Sequence, residues 1–272
     1  MAERLSFIAG TGKLPREVIA AVRANGIEVQ VLSLEKRRAL FGHPARPLDL
    51  RDPQGALEMI RSFGSTLVAA AGGLRLSDSQ REGMLRFLGS QPATLGDTAL
   101  SILSGYVEQH TRARVIGVHE LAPHLLTPEG LIAGPAPAAA LLESARFALD
   151  LARRSGQLDL GQGVVVAGRR TIAVEDIAGT DALLRRIRTF RRFGLAGDGV
   201  SPLVLAKAAK PDQPHAIDLP AIGPRTIRNA KSAGIALIVL QAGATIMVER
   251  ERLIAAANKA RLPVVGMPID GQ

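Results

Sequence analysis

Apolar residues fall in short runs separated by stretches with helical spacing, and the two alternate along most of the chain. Residues 5–9 read as an apolar strand, 16–24 as a helix, and 27–32 as a second strand after the turn residues Asn25 and Gly26. Residues 57–63 continue as helix and 66–71 as a strand ending at Gly72 and Gly73. Such alternation predicts a largely parallel sheet, so residues 1–130 are expected to form an N-terminal Rossmann-like domain. A further strand is expected over 114–119, and the crowding of Gly134, Pro135 and Pro137 marks 131–138 as the linker.

Residues 139–272 are expected to form a C-terminal α/β domain of mixed sheet. Residues 139–155 are an amphipathic helix, and 163–167 with 170–174 read as a hairpin around Gly168. A basic helix over 181–192 follows, then a short strand at 204–206, a polar loop over 211–224 and a helix over 226–233. The apolar stretch 233–248 is broken by Gly234, Gln241 and Gly243 and falls short of the roughly 20 residues a spanning helix needs. It reads as two buried strands around a turn. A helix over 253–260 and a strand over 264–267 complete the chain, with no internal repeat.

Composition narrows the function. Of 272 residues, 47% are apolar and 22% charged, which supports buried cores and excludes disorder. The lack of cysteine excludes a disulfide framework, a thiolate metal site and a cysteine nucleophile. A net charge of +9, mostly from arginine, leans weakly toward anionic partners. One tyrosine and no tryptophan leave little for bases to stack on, so nucleic acid is not an expected partner. No export signal is visible near the N-terminus, and the absence of cysteine leans weakly to the cytosol.

Gly10-Thr11-Gly12-Lys13-Leu14-Pro15 lies where the first strand meets the first helix, the position from which a parallel sheet offers backbone amides to a phosphate. Gly10 and Gly12 either admit an anion or make a tight turn. Pro15 replaces the last small residue of the dinucleotide fingerprint. Gly96-Asp97 and Gly179-Thr180-Asp181 each precede a helix, where the carboxylate or hydroxyl caps free amides or the amides face a phosphate. The densest polar segment carries Lys207, Lys210, Pro211, Asp212, Gln213, His215 and Asp218. Two lysines and a carboxylate on a proline-stiffened loop suit phosphoryl chemistry, with positive charge for phosphate and an oxygen ligand for Mg²⁺. Arg185, Arg186, Arg188, Arg191 and Arg192 share a helix with Leu183, Leu184, Ile187, Phe190 and Phe193, which suits either an anionic lipid surface or a solvated face on a docked helix. The histidines lack metal-ligand spacing, and neither a serine-hydrolase elbow nor a triphosphatase phosphate loop is present.

These segments, in order, resemble the LpxI family of UDP-2,3-diacylglucosamine pyrophosphatases. The likeness is carried by residues 8–15, Gly96-Asp97, His119-Glu120, Asp159-Leu160-Gly161-Gln162-Gly163, Gly179-Thr180-Asp181-Ala182, Lys207, Lys210-Pro211, Gln213, Asp218-Leu219-Pro220, Ile222-Gly223, Thr226-Ile227 and Ala242-Gly243. The resemblance implies two domains with substrate between them, and hydrolysis of the substrate diphosphate to UMP and 2,3-diacylglucosamine 1-phosphate in lipid A biosynthesis, using Mg²⁺. It also implies a cytoplasmic or peripheral inner-membrane homodimer. By residue, Asp218 is implied as metal ligand or orienter of the attacking water, and Lys207 and Lys210 as phosphate neutralisers. Gly10, Gly12, Asp97, Gln162, Gly179, Thr180, Asp181, Gln213 and Thr226 are implied as substrate-binding.

The chain departs from the family pattern at several acidic positions, with Thr98, Ala178 and Gln241 where carboxylates are usual. Pro214 and Ala216 replace an acid and an arginine, and Gly73 replaces an asparagine. A hard cation needs several oxygen ligands, so a weakened or inactive homologue that binds the lipid or nucleotide sugar is the alternative reading. A nicotinamide-dependent oxidoreductase is a further alternative, opposed by Pro15.

Overall fold

A computed structural model describes residues 3–35, 37–73, 82–83, 86–87, 97–197, 201–210 and 219–269. The described chain divides into two compact units, one running to His124 and the other starting at Leu125.

The first unit runs β1 (Arg4–Ala9), α1 (Leu14–Ala24), β2 (Glu28–Ser33), β3 (Ala39–Leu40), β4 (His43–Pro47), α2 (Pro53–Ser62), β5 (Leu67–Ala71), α3 (Asp97–Thr111), β6 (Arg114–Val115) and α4 (Val118–Leu121). Its sheet has the order β3-β4-β2-β1-β5-β6. All pairings are parallel except β3 with β4, as the strand–helix alternation predicts. Leu5 and Phe7 of β1 are sealed, and α1 turns Val18, Ile19 and Val22 inward. Burial of these side chains contributes about 1.5–3 kcal/mol each. The buried Ser6 and Gln30 satisfy each other, with Gln30 Nε2 donating to Ser6 Oγ at 2.6 Å and to the Met59 carbonyl at 2.9 Å.

The strand expected over 114–119 stops at Val115. Glu120 Oε1 accepts from the Gly117 amide at 3.1 Å and so starts α4 instead, while Glu120 Oε2 accepts from Arg114 Nη1 at 2.8 Å.

The second unit runs β7 (Gly130–Ala133), α5 (Ala139–Gln157), β8 (Gly163–Ala167), β9 (Arg170–Val174), α6 (Thr180–Arg192), β10 (Leu203–Lys207), β11 (Ala221–Ile222), α7 (Pro224–Ser232), β12 (Ile235–Gln241), β13 (Ile246–Met247), α8 (Arg250–Ala260) and β14 (Val264–Met267). The main sheet, β7-β14-β12-β10-β8-β9, is mixed as expected: β10, β12 and β14 are parallel, and β7, β8 and β9 antiparallel to their neighbours. The hairpin around Gly168 is β8–β9. Two expectations change. Part of the predicted linker, 131–138, is the edge strand β7, bounded by Gly130 and Gly134 with φ of 89° and 77°. The stretch 233–248 is not a hairpin: β12 joins the main sheet and β13 pairs with β11 in a separate two-stranded sheet.

The strands of this unit are apolar on both faces because helices cover both. On one side Val165, Leu203, Leu205, Ile238 and Leu240 pack with Leu183, Leu184 and Ile187 of α6, Ile227 of α7 and Leu253 of α8. On the other, Val164, Val166, Val204, Ala206 and Val239 pack with Ala145, Ala148, Leu149 and Ala152 of α5. The basic helix is therefore docked to the core, with Arg186 paired to Asp176 at 2.9 Å and Arg188 donating to Ser232 Oγ at 3.2 Å.

Burial works against the Glu120 charge, but the Gly117 amide and the Arg114 guanidinium outweigh it and hold the carboxyl below its ordinary 4.5. A lowered folded-state value adds stability above the unfolded value and loses it as pH falls through the folded value. Glu120→Gln should therefore lower stability at pH 7 by about 0.5 kcal/mol, a small figure because the pair is partly exposed. In urea titrations the deficit should shrink as the pH falls below 4.5 and vanish once Glu120 is protonated in the folded state as well.

Candidate functional site

In the second unit the functional side chains gather at the carboxyl end of β10, the end from which parallel strands present residues to ligands. Side chains alternate faces along a strand. Lys207 thus follows Leu203 and Leu205 onto the α6 side of the sheet, and Glu175 follows Ala173 of β9 onto the same side. Lys207 sits opposite Gly163 of β8, and the Glu175 amide donates to the Gly163 carbonyl at 2.7 Å. Lys207, Gly163 and Glu175 therefore form one row across three strands.

The middle position has no side chain, so the outer two meet above it. Lys207 Nζ lies 3.3 Å from Glu175 Oε2, and a Cβ on Gly163 would fall on that oxygen. Lys207 Nζ also donates to Thr180 Oγ1 at 2.7 Å, and Thr180 Oγ1 donates to Glu175 Oε1 at 3.0 Å. Lys207 is only 4% exposed. Thr180 is the first residue of α6, whose N-cap is Gly179 with φ of 79°. Gly179 brings no side chain to the cap, and its carbonyl accepts from the Ala182 amide at 3.0 Å, which leaves the Thr180 and Asp181 amides at the positive end of the helix dipole, beside Lys207. An ammonium and a helix N-terminus converging in a buried place suit an anionic oxygen.

The other predicted residues of this unit divide between the centre and its frame. Lys210 is ion-paired to Asp159, and its stem passes over Gly156, where a Cβ would stand 3.0 Å from Lys210 Cγ. Gln162 holds the chain after β10 by accepting from the Ala208 amide at 3.1 Å through its backbone carbonyl. Asp181 has two partners on α7, accepting from Asn229 Nδ2 at 2.6 Å and pairing with Arg225 at 3.1 Å. Thr226 is buried and accepts from the Gly223 amide at 3.4 Å, so it caps its own helix. Gln241, where the family pattern has an acid, is buried and accepts from the Ala209 amide through Oε1 at 2.8 Å. Its carbonyl serves as the acceptor a carboxylate would be, without the charge. Ala178, the other acidic replacement here, lies in the turn before α6, its amide donating to Asp176 Oδ1 at 2.9 Å.

In the first unit the predicted phosphate loop sits at the switch point of the sheet, where the order reverses between β1 and β5. Gly10 is buried there, and a Cβ on it would meet Gly73 O at 2.6 Å. Thr11 and Gly73 bridge the two turns by a pair of 2.9 Å backbone bonds. A Cβ at 73 would lie 2.6 Å from Thr11 Oγ1, so Gly73 matches the bridge and the usual asparagine would need that hydroxyl to move. Gly10 thus serves close backbone packing. Gly12, with φ of 99° and open space beside it, is the glycine that leaves room.

Asp218, Gln213, Pro214 and Ala216 lie outside the described residues, as do the side chains of Asp97 and Thr98. Among the described residues no three histidine or acidic side chains converge on a point, and the carboxylates beside the lysines already face ammonium or hydroxyl groups. The described residues alone therefore do not make a Mg²⁺ ligand set. Sequence reasoning missed Glu175. A regular hairpin around Gly168 would set Val174 beside Gly163, and only the register shift between Val165 and Val166 brings Glu175 there instead.

Fold and centre define a two-unit α/β protein with a buried lysine, Lys207, held at the N-terminus of α6. Residues 4–125 match the LpxI N-terminal domain and residues 128–265 the LpxI C-terminal domain. The chain is 34% identical over 283 aligned positions to the UDP-2,3-diacylglucosamine pyrophosphatase LpxI of Caulobacter vibrioides, covering 97% of both chains. The chain belongs to the LpxI family. Among solved structures, the UDP-glucose 4-epimerase of Thermus thermophilus in complex with NAD is 19% identical with a TM-score of 0.32, covering 99% of this chain and 88% of that one. The precorrin-6A reductase CobK is 14% identical with a TM-score of 0.34, covering 99% and 89%. Scores this low carry no argument.

Gly10→Ala should destabilise the protein by about 1–3 kcal/mol, because the added methyl meets backbone that cannot rotate away. Urea denaturation measures this; an unchanged midpoint would contradict the packing role.

Proposed function

We propose that this protein hydrolyses the diphosphate of UDP-2,3-diacylglucosamine, giving UMP and 2,3-diacylglucosamine 1-phosphate in lipid A biosynthesis. Family membership and the Caulobacter relative supply the substrate. The observation that carries the reading is the buried Lys207 ammonium held against Thr180 at the N-terminus of α6.

In the reaction water adds to one phosphorus, the bridging P–O bond breaks, and two monophosphates and a proton leave. Charge grows on the bridging and equatorial oxygens as that bond breaks, and donors placed beforehand in a dry site are the means of stabilising it. Lys207 and the first turn of α6 would take one phosphate oxygen, and Lys210 a second. Asp218 is the proposed orienter of the water. Gly12, Gln162, Gly179, Thr180 and Gln213 are the proposed substrate-lining residues, and Asp97, Asp181 and Thr226 stand as further proposals, the last two with the structural partners described above.

A Mg²⁺ requirement, a homodimer and contact with the inner-membrane surface belong to the same proposal. Phe193 and Leu195, 68% and 62% exposed at the end of the arginine-bearing α6, support the last. No described helix is long and apolar enough to cross a membrane.

The test is UMP release from UDP-2,3-diacylglucosamine, with and without EDTA followed by Mg²⁺ restoration, on protein sized by light scattering. Wild type should turn over, Lys207→Met should fall about 10²- to 10³-fold, and Asp218→Ala at least as far. Lipid binding without turnover would mark the chain as a non-catalytic relative. An Asp218→Ala variant as active as wild type would refute the assignment of that residue.

A further inference from the structure

Glu175 touches Lys207 and Thr180 but lies behind both, on the strand farthest from the parallel ladder. A buried ion pair is an uncertain source of stability, since desolvating two charges offsets much of their attraction and apolar replacements are often neutral or stabilising. Here the arrangement is also specific. Adjacent strands are about 4.8 Å apart, so Glu175 and Lys207 stand two strand spacings from each other and can meet only because position 163 is glycine.

Each carboxylate oxygen has its own task. Oε2 faces the ammonium at 3.3 Å, and Oε1 accepts the Thr180 hydroxyl proton at 3.0 Å, leaving the Thr180 lone pairs toward Lys207. Gly161 is part of the same construction, because a Cβ on it would fall on the Glu175 carbonyl.

We infer that Glu175 is a positioning residue, reaching over Gly163 to aim the Lys207 ammonium, directly and through the Thr180 hydroxyl, at the α6 N-terminus where the substrate's phosphate is bound. The inference rests on the diphosphatase reading above. Glu175 itself holds no substrate atom. Removing its charge leaves the lysine attractive to phosphate in the ground state and unaimed as charge builds in the transition state. The effect should therefore fall on kcat and not on KM.

The experiment compares wild type, Glu175→Gln, Gly163→Ala, Lys207→Met and Glu175→Gln/Lys207→Met for UMP release, UDP affinity by calorimetry and thermal midpoint. Glu175→Gln should lower kcat about 10- to 100-fold with KM within about threefold. Gly163→Ala keeps both charges and needs only the flexible carboxylate to move aside, so it should lower kcat about tenfold in a folded protein. The double variant should be no slower than Lys207→Met alone, because the two residues act as a unit. A kcat within twofold of wild type in both Glu175→Gln and Gly163→Ala would overturn the inference. So would an equal Glu175→Gln effect with and without Lys207, the sign of a merely structural role. If wild type binds UDP but releases no UMP, the diphosphatase reading fails and the inference, which places the effect of Glu175 on kcat, falls with it, whereas turnover left unchanged by Glu175→Gln and Gly163→Ala overturns the inference alone. No UDP binding by wild type would overturn both.

Discussion

The second unit is organised around one ammonium group placed in a nearly dry site, Lys207 at the end of β10. Burying an ammonium without partners there would be costly, because it loses its hydration. Its surroundings are therefore dictated. A carboxylate must reach it, a hydroxyl must accept from it, and the strand between must carry no side chain. Glu175, Thr180 and Gly163 meet those three conditions.

The rest of the unit holds these groups in register. The antiparallel β8–β9 hairpin sets Gly163 beside Glu175, and the β8–β10 ladder sets Gly163 opposite Lys207. The Asp181 contacts with Asn229 and Arg225 fasten the start of α6 to α7. Gln241 fastens the segment following Lys207. Residues that the family pattern marks as functional are thus of two kinds, those that face the charge and those that hold the elements that do. A glutamine at 241 preserves the second kind of role while surrendering the charge.

Much of this was legible in the chain. Strand–helix alternation gave the parallel first sheet, and the apolar runs over 163–167, 170–174, 204–206 and 264–267 lie on observed strands. Lys207 stood out because it opens the densest polar segment of the chain. Elsewhere local pattern failed for physical reasons. Gly130 and Gly134 punctuate an edge strand rather than a linker, since positive-φ glycines can turn the chain at either end of a short strand. Residues 235–241 and 246–247 look like a hairpin locally, and tertiary pairing sends them to different sheets. Asp181 and Thr226 have the residue types of a ligand site, and only the three-dimensional structure shows that they also tie α6 to α7 and cap α7. Gly10 resembles an anion-loop glycine, but what it admits is the neighbouring backbone at Gly73.

The account turns on where the phosphate of a bound nucleotide meets this protein. A crystal structure with UDP bound tests it most directly. The account predicts a phosphate oxygen within hydrogen-bond distance of Lys207 Nζ or the Thr180 amide, with Glu175 still against the lysine. A nucleotide whose phosphates are held elsewhere, with Lys207 and Glu175 sealed together and untouched, would contradict it.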